Sequence, residues 1–333
     1  MRTWLKRIFL VLCVVFLAAA AWCVRYPIHD LPLKSSPMQF SISAGSSLRS
    51  ASQQMVQAGV LPAALPFEVL TRTLGDPKNI KAGNYEVEKG ITPYDLMRKI
   101  TRGDYTSLAI TFVEGWTFRQ MRKMLDDHPA LKHDTQGIAD LEVLKRLGLQ
   151  QQSPEGLFFP DTYHFVKGVS DLNILRRSYQ LMDKHLAAQW GQRAPNLPLA
   201  TPYEALILAS IVEKETGQAV ERSIISAVFL NRLRLGMKLQ TDPTVIYGLG
   251  EQFDGNLRKQ DLLSDGPYNT YTRNGMPPTP IAMPGLASLH AALHPAPTDA
   301  LYFVAKGDGS SHFSRNFEEH DRAVTKFQRP AKR

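Results

Sequence analysis

Three stretches of the chain repeat one order of apolar and polar positions: FSISAGSSLRSASQQM, YEVEKGITPYDLMRKI and ITFVEGWTFRQMRKML. Each begins with a short extended segment, marked in Phe40-Ser41-Ile42 and Tyr85-Glu86-Val87 by the two-residue alternation of a half-buried strand. A glycine follows (Gly45, Gly90, Gly115), and two residues later a hydroxyl (Ser47, Thr92, Thr117) placed to cap a helix. Apolar pairs then fall six and ten positions after the glycine, at Ala51/Met55, Leu96/Ile100 and Met121/Leu125. An i, i+4 pair gives each helix one buried stripe. The unequal spacing of the glycines argues for small α+β units and against a solenoid.

Further on, 126–200 reads as mainly helical, interrupted by GLFFPDTYHF, where an aromatic run meets the turn signal Pro160-Asp161-Thr162. Two helices are expected next, one from Pro202 and one over 222–235. The first carries no charge from Ala205 to Val212, then takes on Glu213, Lys214 and Glu215 before Gly217, which reads as its C-terminal stop. Acids are disfavoured at a helix C-terminus, so something other than stability accounts for these two. Beyond them, 240–294 is rich in Pro, Gly and Asn and shows no clear period. A segment so long, with so many aromatics and amides, reads as a site more readily than as a linker.

The first residues change the compartment. Arg2, Lys6 and Arg7 precede an unbroken apolar run over 8–24, closed by Arg25. That run rises about 25 Å as a helix, the short end of what spans a bilayer, and the flanking charge favours the N-terminus inside. A retained anchor is the expectation; a cleaved signal peptide, using Ala19-Ala20-Ala21, is its rival. The only two cysteines, Cys13 and Cys23, lie in this run, so the remainder has no disulfide and no thiolate metal site. Trp22 is too large for the small residue expected before a lipidated cysteine. The chain has 333 residues, 44% hydrophobic and 21% charged, enough for two or three domains. Its net charge of +8 suits an anionic partner. No basic block interleaved with aromatics points to nucleic acid, and the basic tail reads as a solvated end.

Several chemistries are absent from the motifs: there is no GxSxG, no Walker loop and no complete GxGxxG. His290 and His294 stand four apart, but no acid lies between them as in HExxH and Pro295 follows at once, so they read as cap or packing residues. His312 and His320 read equally as polar packing or as substrate contacts. No metal and no cofactor is expected. Glycoside hydrolysis ordinarily uses two carboxylates flanking the bond. Glu213 and Glu215, two apart on a helix, point to nearly opposite sides and cannot form that pair, which leaves one of them solvated. Glu213 shares its face with Leu206, Ala209 and Ser210. Burial and the helix end should raise its pKa, as a general acid at neutral pH requires. The residues alone equally allow a buried glutamate bonded to a neighbouring helix or to Lys214. Asp242, in LQTDPTVIYG, is a second candidate, although an Asp before Pro commonly caps a turn.

LASIVEKETG, then NRLRLGMKLQTDPTVIYG, PYNTY, NGMPPTPI, LYFV and SHFSRNFEEH, in this order and spacing, resemble the YceG-like family of endolytic murein transglycosylases. The likeness runs from about Phe40 to about His320. It departs from the family pattern at Gly266, Thr279 and Met283. It implies an α+β protein, membrane-anchored, in which a small LysM-like α/β module precedes a mixed α+β catalytic domain. The organisation expected is a cytoplasmic 1–7, anchor 8–25, linker 26–37, LysM-like domain 38–105, connecting segment 106–154, catalytic domain 155–322 and tail 323–333. The implied activity is a lyase's: endolytic cleavage of nascent peptidoglycan with 1,6-anhydro ends. Glu213 is the implied catalytic acid/base, and Gln240, Thr241, Asp242, Tyr268, Asn269, Thr270 and Tyr271 suit sugar hydroxyls and faces. The implied setting is the inner membrane, with most of the chain in the periplasm near peptidoglycan synthases. A non-catalytic wall-binding scaffold is the alternative.

Overall fold

The computed structural model describes residues 4, 25–43, 45–104 and 108–328. The expected anchor over 8–24 and the last tail residues, 329–333, lie outside the described residues. Among the described residues no helix is long and apolar enough to cross a membrane. They contain twelve α-helices and three two-stranded sheets, a mixed α+β architecture. The chain divides into two compact units, 1–108 with 164–167, and 109–163 with 168–333.

The first unit is built from β1 (Met38–Ile42), α1 (Leu48–Gln57), α2 (Ala64–Leu74), β2 (Gly83–Val87) and α3 (Pro93–Arg102). β1 and β2 pair antiparallel, with Phe40 opposite Tyr85, and these two rings stack at 5.3 Å. The repeated sequence pattern behaves as its chemistry predicts. Ser47 and Thr92 accept from the backbone N–H three residues on, capping α1 and α3. Gly45 and Gly90 take positive φ in the turns before them, where a side chain would be strained. Ala51, Met55, Leu96 and Ile100 are fully buried and join Phe40, Ile42, Phe67 and Tyr85 in one core.

β3 (Leu108–Thr111) pairs with β4 (Thr162–Phe165), and the second unit begins within β3, at Ala109. The third copy of the pattern leads into α4 (Phe118–Asp126), where Thr117 and Gln120 close a reciprocal capping box. Next come α5 (Asp140–Leu147), α6 (Asp171–Gly191), α7 (Pro202–Glu215) and α8 (Arg222–Arg234). α7 is buried without interruption from Ala205 to Val212, because α6, α8 and α11 (Leu286–Leu293) all pack on it. A helix apolar on every side is the pattern of a central core helix. It ends at Glu215 on extended Thr216, one turn position before the expected stop, and Gly217 does not adopt a left-handed conformation. The aperiodic region holds short helices, α9 (Asp242–Leu249) and α10 (Lys259–Leu263). Pro243 at the start of α9 and Pro-rich turns between the helices hide any longer period. β5 (Tyr302–Ala305) and β6 (Ser311–Ser314) form an antiparallel hairpin against α12 (Phe317–Phe327).

Candidate active site

The end of α7 is held by two neighbouring segments. Ser210 accepts the N–H of Ile281 at 3.0 Å while donating back to Ile207, so the helix fixes the segment 281–285 from within the core. That segment exchanges backbone hydrogen bonds with the third glycine turn: Gly115 N–H donates to Met283 O at 2.8 Å, and Met283 N–H to Trp116 O at 2.7 Å. A side chain at Gly115 would begin 3.7 Å from Glu213 Cγ and from Lys214 Cδ. Its carbonyl accepts from Lys214 Nζ at 3.3 Å. Glycine is therefore favoured here for its φ of 76°, since a Cβ would meet α7 only at ordinary van der Waals distance.

Glu213 is the residue on which these segments converge. Its Oε2 accepts the N–H of Gly285 at 2.9 Å, and its Oε1 lies 3.8 Å from Arg222 Nη2, at the first turn of α8. Its side chain is 7% exposed. Of the alternatives left open by the sequence, a glutamate held by a neighbouring helix is the one seen, through Arg222 of α8 together with the Gly285 N–H, while Lys214 turns to Gly115.

Glu215 departs from the expectation of a solvated partner. It leaves the opposite side of α7, as the spacing requires, but there it is largely buried and accepts from Thr241 Oγ1 at 2.6 Å. Burial pushes its carboxyl above the usual range, and Asp242 adds to this, while the Thr241 hydroxyl and Arg232 oppose it. A helix surface is solvated only where nothing packs on it, and here the loop entering α9 does.

The other expected site residues divide into two groups. Thr241, Asn269 and Thr270 are buried and form an internal hydrogen-bonded block. Thr241 N–H donates to Thr270 Oγ1, and Thr244 and Thr270 share a hydroxyl bond. The Asn269 amide donates to the carbonyls of Asp261, Leu262 and Ser264 and accepts from Tyr271 N–H. These three shape the loops and present no free polar group. Gln240, at positive φ of 48°, and Asp242 are exposed. Tyr271 donates its hydroxyl to Asp242 at 2.5 Å, and Tyr268 shares a hydroxyl bond with Thr279 while its ring meets Tyr247 edge-on at 4.9 Å.

Residues that pattern reading passed over complete the site. Glu155 is buried, accepts from Phe118 N–H and Tyr247 OH, and so ties the start of α4 to α9. Burial pushes its carboxyl up to about 7, with those two donors opposing. Glu114, Arg222 and Gly285 were also passed over. Only Glu114 had a visible signal: it precedes the glycine of the third copy, where the other copies have Ala44 and Lys89. His290, His294 and His320 make packing contacts. His290 and His294 stack at 4.2 Å, with the His294 ring against Gln192 O, and His320 stacks on Tyr302. Asp126, His133 and Asp171 bring potential ligand atoms within 4.8 Å of one another. Asp171 already accepts from Asp134 N–H, Thr135 N–H and hydroxyl, and Leu172 N–H, which is a loop-anchoring role.

Comparison with known proteins places the chain in a family. The model of the YceG-like family matches residues 40–326. An endolytic murein transglycosylase of Bacillus subtilis is 30% identical over 308 residues, covering 87% of this chain and 84% of that protein. One from Streptococcus pneumoniae is 26% identical over 354 residues, covering 95% of this chain and 64% of its own length. A crystal structure of a putative yceG-like protein from Listeria monocytogenes superposes with a TM-score of 0.52 at 30% identity, over 87% of this chain and 99% of that one. On the extent of the family match, the chain belongs to the YceG-like family.

Proposed function

We propose that the chain is a peptidoglycan lytic transglycosylase and that Glu213 is its single acid/base. The observation that carries this reading is the end of α7, where a central core helix holds one glutamate between Gly285 N–H and Arg222. The names of the Bacillus and Streptococcus relatives supply the reaction class.

In the proposed reaction the Glu213 carboxyl gives its proton to the glycosidic oxygen between N-acetylmuramic acid and N-acetylglucosamine. The bond from that oxygen to the muramyl C1 breaks, and the N-acetylglucosamine side leaves with a new hydroxyl. The substrate's own N-acetyl oxygen supports the electron-poor C1. The Glu213 carboxylate then takes the proton of the muramyl C6 hydroxyl as O6 bonds to C1. A 1,6-anhydro ring closes, the carboxyl is protonated again and no water is consumed. Acid and base are needed in succession, so one residue serves both. Arg222 and Gly285 N–H steady the carboxylate between the steps. Gln240, Asp242, Tyr268 and Tyr271 are the sugar contacts in this reading, with Thr241, Asn269 and Thr270 holding their loops.

The setting completes the proposal. The run 8–24 anchors the chain in the inner membrane, the remainder lies in the periplasm, and the module over 38–105 is LysM-like. Its support is the order β1-α1-α2-β2 and the antiparallel pairing of the two strands. The enzyme cuts nascent strands internally, near peptidoglycan synthases, and so limits their length.

The test is mass spectrometry of products from purified murein. The wild type should yield anhydro-ended fragments, and Glu213→Gln should fold normally and yield none. Reducing ends would identify a hydrolase, and no cut by the wild type would identify a non-catalytic scaffold.

A further inference from the structure

We propose that Glu114 is the second carboxylate of this site, and that it and Glu213 act as a proton-sharing pair centred on Gly285. The inference rests on the transglycosylase reading, since a shared proton matters only if Glu213 transfers one.

Position comes first. Glu114 lies in the third glycine turn, which backbone hydrogen bonds to Met283 fasten to the 281–285 segment. Its carboxylate presses on the α-carbon of Gly285: a Cβ there would stand 1.8 Å from Glu114 Oε1 and 2.2 Å from Cδ. Gly285 has φ of −78°, a value any residue adopts, so a side chain here would leave the backbone unstrained and would displace the Glu114 carboxylate. The same residue donates its N–H to Glu213. Two carboxylates, from segments about a hundred residues apart in sequence, thus meet at one backbone unit. This differs from the hydrolytic arrangement, in which two acids flank the bond with room for a water.

Charge comes second. α7 contributes Glu213 and Lys214, α8 contributes Arg222, and 281–285 carries no titratable side chain. Lys214 Nζ is turned to Gly115 O, and Arg222 is the cation facing Glu213. Partial burial and the neighbouring Glu213 raise the Glu114 carboxyl, and Arg222 opposes them. Two like charges so placed resist ionising together. In the reaction this has two effects. Before cleavage it keeps a proton within the site. After Glu213 has given that proton away, an ionised Glu114 beside it strengthens Glu213 as the base for the C6 hydroxyl. Glu114 is exposed and acts through Glu213, a positioning role in the electrostatic sense.

Two measurements on the full chain in detergent decide the matter. The first is a carbon-13 NMR titration of glutamate-labelled protein, which needs no activity. In Glu213→Gln the Glu114 resonance should titrate at lower pH than in the wild type; an unchanged midpoint overturns the pair. The second is the pH–rate profile of murein cleavage. Glu114→Gln should move the alkaline limb to lower pH and slow the optimum about tenfold or more, with Glu114→Asp recovering part of both. Gly285→Ala retains the N–H to Glu213 but displaces the Glu114 carboxylate, and should reproduce the shift. An alkaline limb that coincides with the wild type in both variants overturns the inference while leaving Glu213 as the acid. Failure of the wild type to cut murein removes the transglycosylase reading instead, and the NMR titration still decides whether the pair is coupled.

Discussion

One residue separates Glu213 from Glu215, and at about 100° per residue their side chains leave α7 about 200° apart. The helix therefore serves two segments at once. Glu213 faces Gly285 and Arg222, whereas Glu215 holds Thr241 at the entrance to α9. The two acids should fail differently when changed. Glu215→Ala removes the acceptor of the Thr241 hydroxyl and should lower stability by about 1–2 kcal/mol, seen as a fall in Tm. Glu215→Gln keeps an acceptor there and should retain most of both stability and cleavage. Equal loss of cleavage in Glu215→Gln and Glu213→Gln would mean that α7 presents two working acids.

At the scale of elements, the sequence disclosed local geometry well and meetings between segments poorly. Ser47, Thr92 and Thr117, with their glycines and apolar pairs, act at the predicted positions because caps and buried stripes depend on near neighbours. Glu213 stands out as a candidate in the sequence because charge at the end of a fully apolar helix is a local anomaly. Arg222, Gly285 and Glu155 were not, since their roles depend on partners far along the chain that no period reveals. Asn269 and Thr270 read as sugar-binding amide and hydroxyl for the same reason: their internal acceptors are visible only after folding. Glu155 gives this scale its own prediction. Its folded pKa of about 7 stands above the ordinary 4.5. The folded state therefore binds more proton between those values than the unfolded state does. Its contribution is full below about pH 4.5 and is lost as pH rises through about 7, a change of about 3 kcal/mol at most. Thermal melts of Glu155→Gln across that window should show a weaker decline with pH than the wild type. Parallel declines would assign the pH dependence to other groups.

For the whole molecule, the proposed setting joins an anchor over 8–24 to an enzyme in the periplasm. Residues 26–37, expected as a linker between the anchor and β1, are folded into the first unit: Leu31 and Leu33 are buried in its core and Leu31 N–H donates to Ile91 O, because apolar side chains so close to β1 pack on it and do not hang as an extended tether. With so little free chain after the proposed anchor, the account expects strands newly made at the membrane to be cut in preference to older, outer wall. The mature protein should remain in the membrane fraction after a high-salt wash with Met1 present. An N-terminus beginning at Trp22 would instead make it a soluble periplasmic protein. The central claim is that Glu213 cleaves glycan by giving its proton to the glycosidic oxygen and taking one back from the muramyl C6 hydroxyl, and not by activating water. Its most direct measurement is digestion of uncrosslinked nascent strands by full-length protein in heavy-oxygen water, with every new end read by mass. The account predicts anhydro ends free of label, absent altogether in Glu213→Gln. Reducing ends carrying the heavy oxygen at C1 would contradict it.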